Sequence, residues 1–156
     1  HLAFHPTNPY VYFSNEQQLG VSAYKIGPRG GLQRLQICAA LETPPAEGMA
    51  ASDIAITPDG RFLYVPVRGF GKPLNAVFGY AIGEGGRLES LGMTATDSIP
   101  WALGMSPHGD HLFVTSSKQG SLAAYAIDNK GGLKKEASVK IGERFWDILV
   151  LGDTSE

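Results

Sequence analysis

The feature that most restricts what this chain can fold into is a threefold internal repeat. One copy reads Phe4-His5-Pro6-Thr7-Asn8-Pro9-Tyr10-Val11-Tyr12-Phe13, then Val21-Ser22-Ala23-Tyr24-Lys25-Ile26, then Gly30-Gly31-Leu32. The second reads Ile56-Thr57-Pro58-Asp59-Gly60-Arg61-Phe62-Leu63-Tyr64-Val65, Val77-Phe78-Gly79-Tyr80-Ala81-Ile82 and Gly85-Gly86-Arg87-Leu88. The third reads Met105-Ser106-Pro107-His108-Gly109-Asp110-His111-Leu112-Phe113-Val114, Leu122-Ala123-Ala124-Tyr125-Ala126-Ile127 and Gly131-Gly132-Leu133. Pro6, Pro58 and Pro107 anchor the copies, so the spacings are 58 − 6 = 52 and 107 − 58 = 49 residues. A period of that size belongs to propeller blades or helical solenoids.

Local chemistry separates the two. Each copy alternates short apolar strands with turn residues. In Pro58-Asp59-Gly60, proline presets φ, aspartate bonds forward to backbone N–H groups and glycine accepts positive φ; the Gly-Gly pairs serve an outer hairpin. No stretch sustains a 3.6-residue apolar period between caps. The expected fold is therefore all-β: about three four-stranded antiparallel β-propeller blades, near residues 1–50, 51–99 and 100–142, with Tyr24, Tyr80 and Tyr125 as recurrent core aromatics.

Three blades are too few for a ring of ~4–8, and an open array leaves strand edges and blade faces uncovered. Phe145-Trp146-Asp147-Ile148-Leu149-Val150-Leu151 is expected as a lone closing strand over 145–151. The missing blades are expected from upstream sequence or from self-association, and the start at His1 without methionine agrees with a chain incomplete by itself.

Composition narrows the partners. With 43% hydrophobic and 18% charged residues in 156, the chain can bury a core. Its net charge of −2 and scattered Lys and Arg give no footprint for nucleic acid. No apolar run approaches the ~18 residues of a membrane span and no signal core is seen, so no membrane partner is expected and a cytoplasmic setting is favoured. The single cysteine, Cys38, lies in an apolar run and reads as a small core residue.

In a propeller the innermost strands and their loops line the central channel. The polar residues placed there are His1, Asn15 and Glu16 in the first copy, Arg68 in the second, and Ser116, Ser117 and Lys118 in the third. Beside them stand weaker motifs. His108 and His111 flank a turn and read as surface rather than as a metal pair. Ser106 lacks Gly-x-Ser-x-Gly spacing, and Gly83-Glu84-Gly85-Gly86 joins two strands without a Gly-Lys-Ser/Thr ending, so it is no phosphate loop.

His1-Leu2-Ala3-Phe4-His5-Pro6 with Asn15-Glu16, Ser52 to Tyr64 with Arg68-Gly69, and the Pro100 to Asp128 segment together resemble the lactonase-type seven-bladed β-propeller family, which includes 6-phosphogluconolactonases and carboxymuconate-cyclising enzymes. The resemblance covers nearly all of the chain and matches the later, C-terminal part of a member. It implies a small-molecule lactone substrate, no metal and no organic cofactor, with His1, Glu16 and Arg68 as catalytic candidates and Asn15 and Arg68 as substrate-binding ones. Glu16 or His1 would activate water and Arg68 would hold anionic oxygens. Ala55, Trp101, Pro66-Val67 and Ser116-Ser117 depart from the family's usual His, Arg, Ser-Asn and Asn-Gln. Those departures keep open a non-catalytic propeller for binding or assembly beside the lactone hydrolase acting on a sugar-acid lactone, and the residues do not separate hydrolysis from muconate cyclisation.

Overall fold

The computed structural model describes residues 1–41, 45–71, 74–142 and 147–152. Among them the chain forms three antiparallel sheets in sequence order. The first is a meander of β1 (Leu2–Phe4), β2 (Tyr10–Ser14), β3 (Gly20–Ile26) and β4 (Leu32–Ala39). The second contains β5 (Met49–Ala51) and β6 (Ala55–Ile56), both paired with β7 (Phe62–Gly69), followed by β8 (Ala76–Ile82) and β9 (Leu88–Ala95). The third is β10 (Pro100–Met105), β11 (His111–Ser116), β12 (Ser121–Ile127) and β13 (Leu133–Lys140). The helical content of the described residues is one 3₁₀ turn, Glu84–Gly86, between β8 and β9.

The repeat is visible down to its irregularities. The outer strand of each sheet carries one extra residue at the same place, Leu35, Leu91 and Glu136, opposite the steps Ala23/Tyr24, Gly79/Tyr80 and Ala124/Tyr125. Such a bulge bends the strand and adds right-handed twist. The inner turns also share a design. Asp59 Oδ1 accepts from Thr57 Oγ1 and from the Arg61 N–H, while Ser106 Oγ donates to Asp110 and accepts from the N–H groups of Asp110 and His111. Gly60 and Gly109 complete these turns at φ +74° and +73°, where a side chain would be strained.

Successive residues of a strand face opposite sides, so β7 feeds two cores. Leu63, Val65 and Val67 pack towards the first sheet with Tyr12, Val21 and Tyr80; Phe62 and Tyr64 pack towards the third with Leu112, Val114 and Tyr125. Every residue of β7 is buried, because this blade is covered on both faces. Polar links fix the stacking. Tyr12 donates to the Gly86 carbonyl at 3.1 Å and Tyr64, its repeat mate, to the Gly131 carbonyl at 3.0 Å. The Gln36 amide both donates to the Leu88 carbonyl and accepts from the Leu88 N–H.

Two expectations need adjusting. The innermost strand of the second sheet is split between Ala51 and Ala55 rather than continuous, and the cause lies opposite, in β7. Pro66 accepts from the Ser52 N–H through its carbonyl but has no N–H to return, so the Ser52 carbonyl instead takes the Ser14 hydroxyl at 2.7 Å. The strand expected over 145–151 begins at Phe145 and Trp146, which lie outside the described residues, and Asp147 to Leu151 join no ladder among the described residues. They lie against β10 instead: a Cβ built on Gly104 would come within 2.8 Å of Val150 and 3.1 Å of Ile148, while Leu149 and Leu151 face outward.

Both ends of the array show apolar faces. On the first sheet Leu2, Phe4, Leu32 and Ile37 are exposed, and Tyr24 is only half-buried, whereas its repeat mates Tyr80 and Tyr125 are fully buried between sheets.

Candidate active site

The split in the second sheet's inner strand positions a carboxylate that reaches both neighbouring sheets. Asp53, released from the ladder, accepts the N–H of Ile54 through Oδ1 and that of Leu103 in the third sheet through Oδ2, each at 2.8 Å. Its Oδ1 also lies 3.3 Å from His1 Nδ1 in the first sheet. One carboxylate thus spans three consecutive blades. Burial pushes the Asp53 carboxyl above its usual range; the two N–H groups partly offset this, and the nearby Asp147 charge adds to it.

Arg68, at the exit of β7, is buried, with its side chain 7% exposed. One terminal nitrogen donates to the Ala51 carbonyl and the other to Glu16 Oε1, both at 3.2 Å. The guanidinium carbon stands 4.1 Å from the Trp101 ring centre and 5.5 Å from that of Phe70, so the planar cation is held between aromatic rings. Its Nε finds no partner among the described residues. Burial draws the Arg68 pKa down and Glu16 draws it up, the first effect being larger; at neutral pH the group stays charged.

Three of the four sequence candidates come together. His1, Glu16 and Arg68 line one recess of about 190 Å³ with Ser14, Ala51, Ser52 and Trp101. Complete small-molecule pockets run to ~300–1,000 Å³, so this recess has the size of one wall of such a site. The Ser14 and Ser52 hydroxyls are committed as donors to the carbonyls of Ser52 and Trp101, at 2.7 and 2.8 Å.

Asn15 does not join them. Its Oδ1 accepts from Ser22 Oγ at 3.1 Å, and it lines a separate groove with Phe13, Tyr24 and Leu32 on the uncovered face of the first sheet. Asn15 follows the last residue of β2, while Glu16 opens the turn over 16–18, so the chain leaves the strand direction between the two and only Glu16 enters the recess.

The weaker motifs take structural places. Ser106 is consumed by its turn, and His111 sits on the surface between Asp110 and Glu136 at 3.2 and 3.3 Å. Among the described residues no group of three His, Cys, Asp or Glu is arranged to hold a metal. Cys38 points its thiol at the Leu88 carbonyl, and burial raises its pKa, away from the reactive thiolate.

Asp53 and Trp101 are the residues that pattern-reading passed over. A signal for Asp53 existed in the chain: Asp53-Ile54 recurs as Asp147-Ile148, and in both pairs Oδ1 of the aspartate accepts the following N–H at 2.8 Å. Trp101 was legible only as a departure, because what it does depends on a guanidinium thirty-three positions earlier (101 − 68).

Comparison by sequence finds lactonases. The sequence profile of the family described as "Lactonase, 7-bladed beta-propeller" matches residues 1–146. A 6-phosphogluconolactonase of Yersinia pestis (strain Pestoides F) is 32% identical over 136 residues, covering 85% of this chain and 39% of the relative. One from Cronobacter sakazakii is 28% identical over 138 residues, covering 87% and 40%. Among solved structures, the periplasmic gluconolactonase of Pseudomonas aeruginosa superposes with a TM-score of 0.80 at 25% identity, covering 92% of this chain and 40% of that one. The chain therefore spans well under half the length of the proteins it matches.

Proposed function

Because the chain belongs to the lactonase family of seven-bladed β-propellers, we propose that it supplies three blades and one channel wall to a lactone hydrolase acting on a sugar-acid lactone. The observation that carries this reading is the meeting of His1, backed by Asp53, with Arg68 in one recess.

Hydrolysis needs a base for water and a cation for the oxyanion. Asp53 engages Nδ1 of His1, which leaves Nε2 as the base, and its own two backbone N–H bonds fix the ring's orientation. Nε2 takes a proton from water as the water oxygen bonds to the lactone carbonyl carbon. The negative charge gathers on the carbonyl oxygen, where the uncommitted N–H groups of Arg68 meet it. The tetrahedral intermediate then collapses, the ring C–O bond breaks and the imidazolium returns the proton to the departing alkoxide, giving a hydroxy acid. Glu16 is tied to Arg68 and 68% exposed, which suits orienting the guanidinium better than serving as base.

The wall needs the rest of a ring. We assign the apolar faces at both ends of the array to further blades or a second copy of the chain, and Asp147 to Leu151 to the innermost strand of the blade after the third, since Ile148 and Val150 already pack on Gly104. Light scattering tests this: an association larger than one chain is expected, and a well-folded lone monomer contradicts it. Cell fractionation separates the cytoplasmic setting expected from sequence from a periplasmic one like that of the Pseudomonas relative.

Lactone hydrolysis, followed by acid release, tests the chemistry. His1→Ala is expected to lose about a hundredfold or more in kcat, and Arg68→Lys, which keeps charge but not the planar fork, to lose at least tenfold. Glu16→Gln is expected to keep most of its turnover. Undiminished turnover in either of the first two variants would remove that residue from the site, and absence of hydrolysis by the unaltered protein would favour the non-catalytic propeller.

A further inference from the structure

The recess reads differently when its hydrogen-bonding capacity is counted atom by atom. The protons of Ser14 and Ser52 are spent on backbone carbonyls, so towards a ligand both hydroxyls offer lone pairs. Glu16 is an acceptor only, and Asp53 stands behind His1 with Asp147 close to it. Among the described residues Arg68 is the single Lys or Arg lining the recess, and it is already paired with Glu16 and with the Ala51 carbonyl. Of the residues that line the recess, Glu16 at −1 matches Arg68 at +1, so the cation there is already neutralised. A wall of acceptors whose cation is already matched by Glu16 suits a ligand rich in hydroxyl donors and poor in charge.

A phosphate monoester has the opposite character. It brings about −1.5 to −2 charges at pH 7 and oxygens that mainly accept. Holding it takes free cationic or N–H donors beyond those that steady the reacting carbonyl, and the one guanidinium here, clasped against Trp101, has at most the latter to give. We propose, resting on the lactonase reading above, that this wall selects an uncharged, polyhydroxylated lactone over the same lactone bearing a phosphate ester, with Glu16 as the residue that sets the preference.

The experiment compares kcat/KM for glucono-1,5-lactone and its 6-phosphate in the unaltered protein and in Glu16→Gln. A preference of at least about tenfold for the uncharged lactone is expected, reduced about three- to tenfold by the substitution as one charge beside the guanidinium disappears. An equal or better rate with the phosphate ester, or a ratio indifferent to Glu16→Gln, overturns the proposal. A binding arm separates it from the catalytic reading. The Trp101 indole N–H resonance is followed by NMR during titration with glucono-1,5-lactone and with inorganic phosphate. Displacement by the lactone alone, without turnover, keeps the selectivity and sinks the hydrolase. Displacement by phosphate, or by neither, refutes the selectivity.

Discussion

Tyr64 and Tyr80 offer an internally controlled measurement of what holds neighbouring blades together. Both lie in the second blade, both are almost wholly buried, and burial raises the pKa of both phenols. Their hydroxyls differ: Tyr64 donates to the Gly131 carbonyl of the next blade at 3.0 Å, whereas the Tyr80 hydroxyl finds no partner among the described residues. Removing the Tyr64 hydroxyl deletes a net hydrogen bond of about 1 kcal/mol and strands the carbonyl of Gly131, a buried residue, so Tyr64→Phe is expected to cost about 1.5–2.5 kcal/mol. Tyr80→Phe removes a buried polar atom that has nothing to bond, and is expected to be neutral or to stabilise by up to about 1 kcal/mol. Urea unfolding followed by tryptophan fluorescence measures both, with unchanged m-values as the check that only stability has moved. Equal losses in the two variants would refute the reasoning, since packing alone would then account for the effect.

Two further outcomes follow from the same geometry. Gly60→Ala is expected to destabilise by about 2 kcal/mol or more, because its φ is +74° and a Cβ there would meet the His5 ring at 2.5 Å; Gly30→Ala, at φ +78° with nothing within 4 Å, should cost only the backbone strain, about 1 kcal/mol, in the same denaturant series. Asp110 and then Glu136 raise the His111 pKa above 6.5, so the stability from these pairs is fully present below pH 6.5 and lost as pH rises through the folded-state value. His111→Gln should flatten that decline, and an imidazole NMR titration with its midpoint at or below 6.5 would count against it.

The blades were legible because their grammar is local. Turn chemistry at Pro58-Asp59-Gly60 and strand alternation around Tyr64 depend on near neighbours, so three sheets could be placed from the residues alone. That His1, Glu16 and Arg68 meet in one recess was legible by position, because a repeat that sets which strand is innermost also sets which residues stand at its ends. Asn15 does not join them, since the chain turns after it and its amide oxygen is taken up by Ser22. Asp53 and Trp101 act across blade boundaries, on Leu103 and Arg68, and no local pattern announces a partner thirty or fifty positions away.

Pro66 carries a wider meaning than a broken ladder. Had β5 and β6 run on as one strand, the backbone between them would be paired into the ladder with β7. The absent donor lets one segment peel free, and a serine from one neighbour and an aspartate reaching the other fill the gap. The tie between three sheets is made where the pattern lapses, so substitutions restoring regularity there should leave a more continuous ladder and a weaker link between blades.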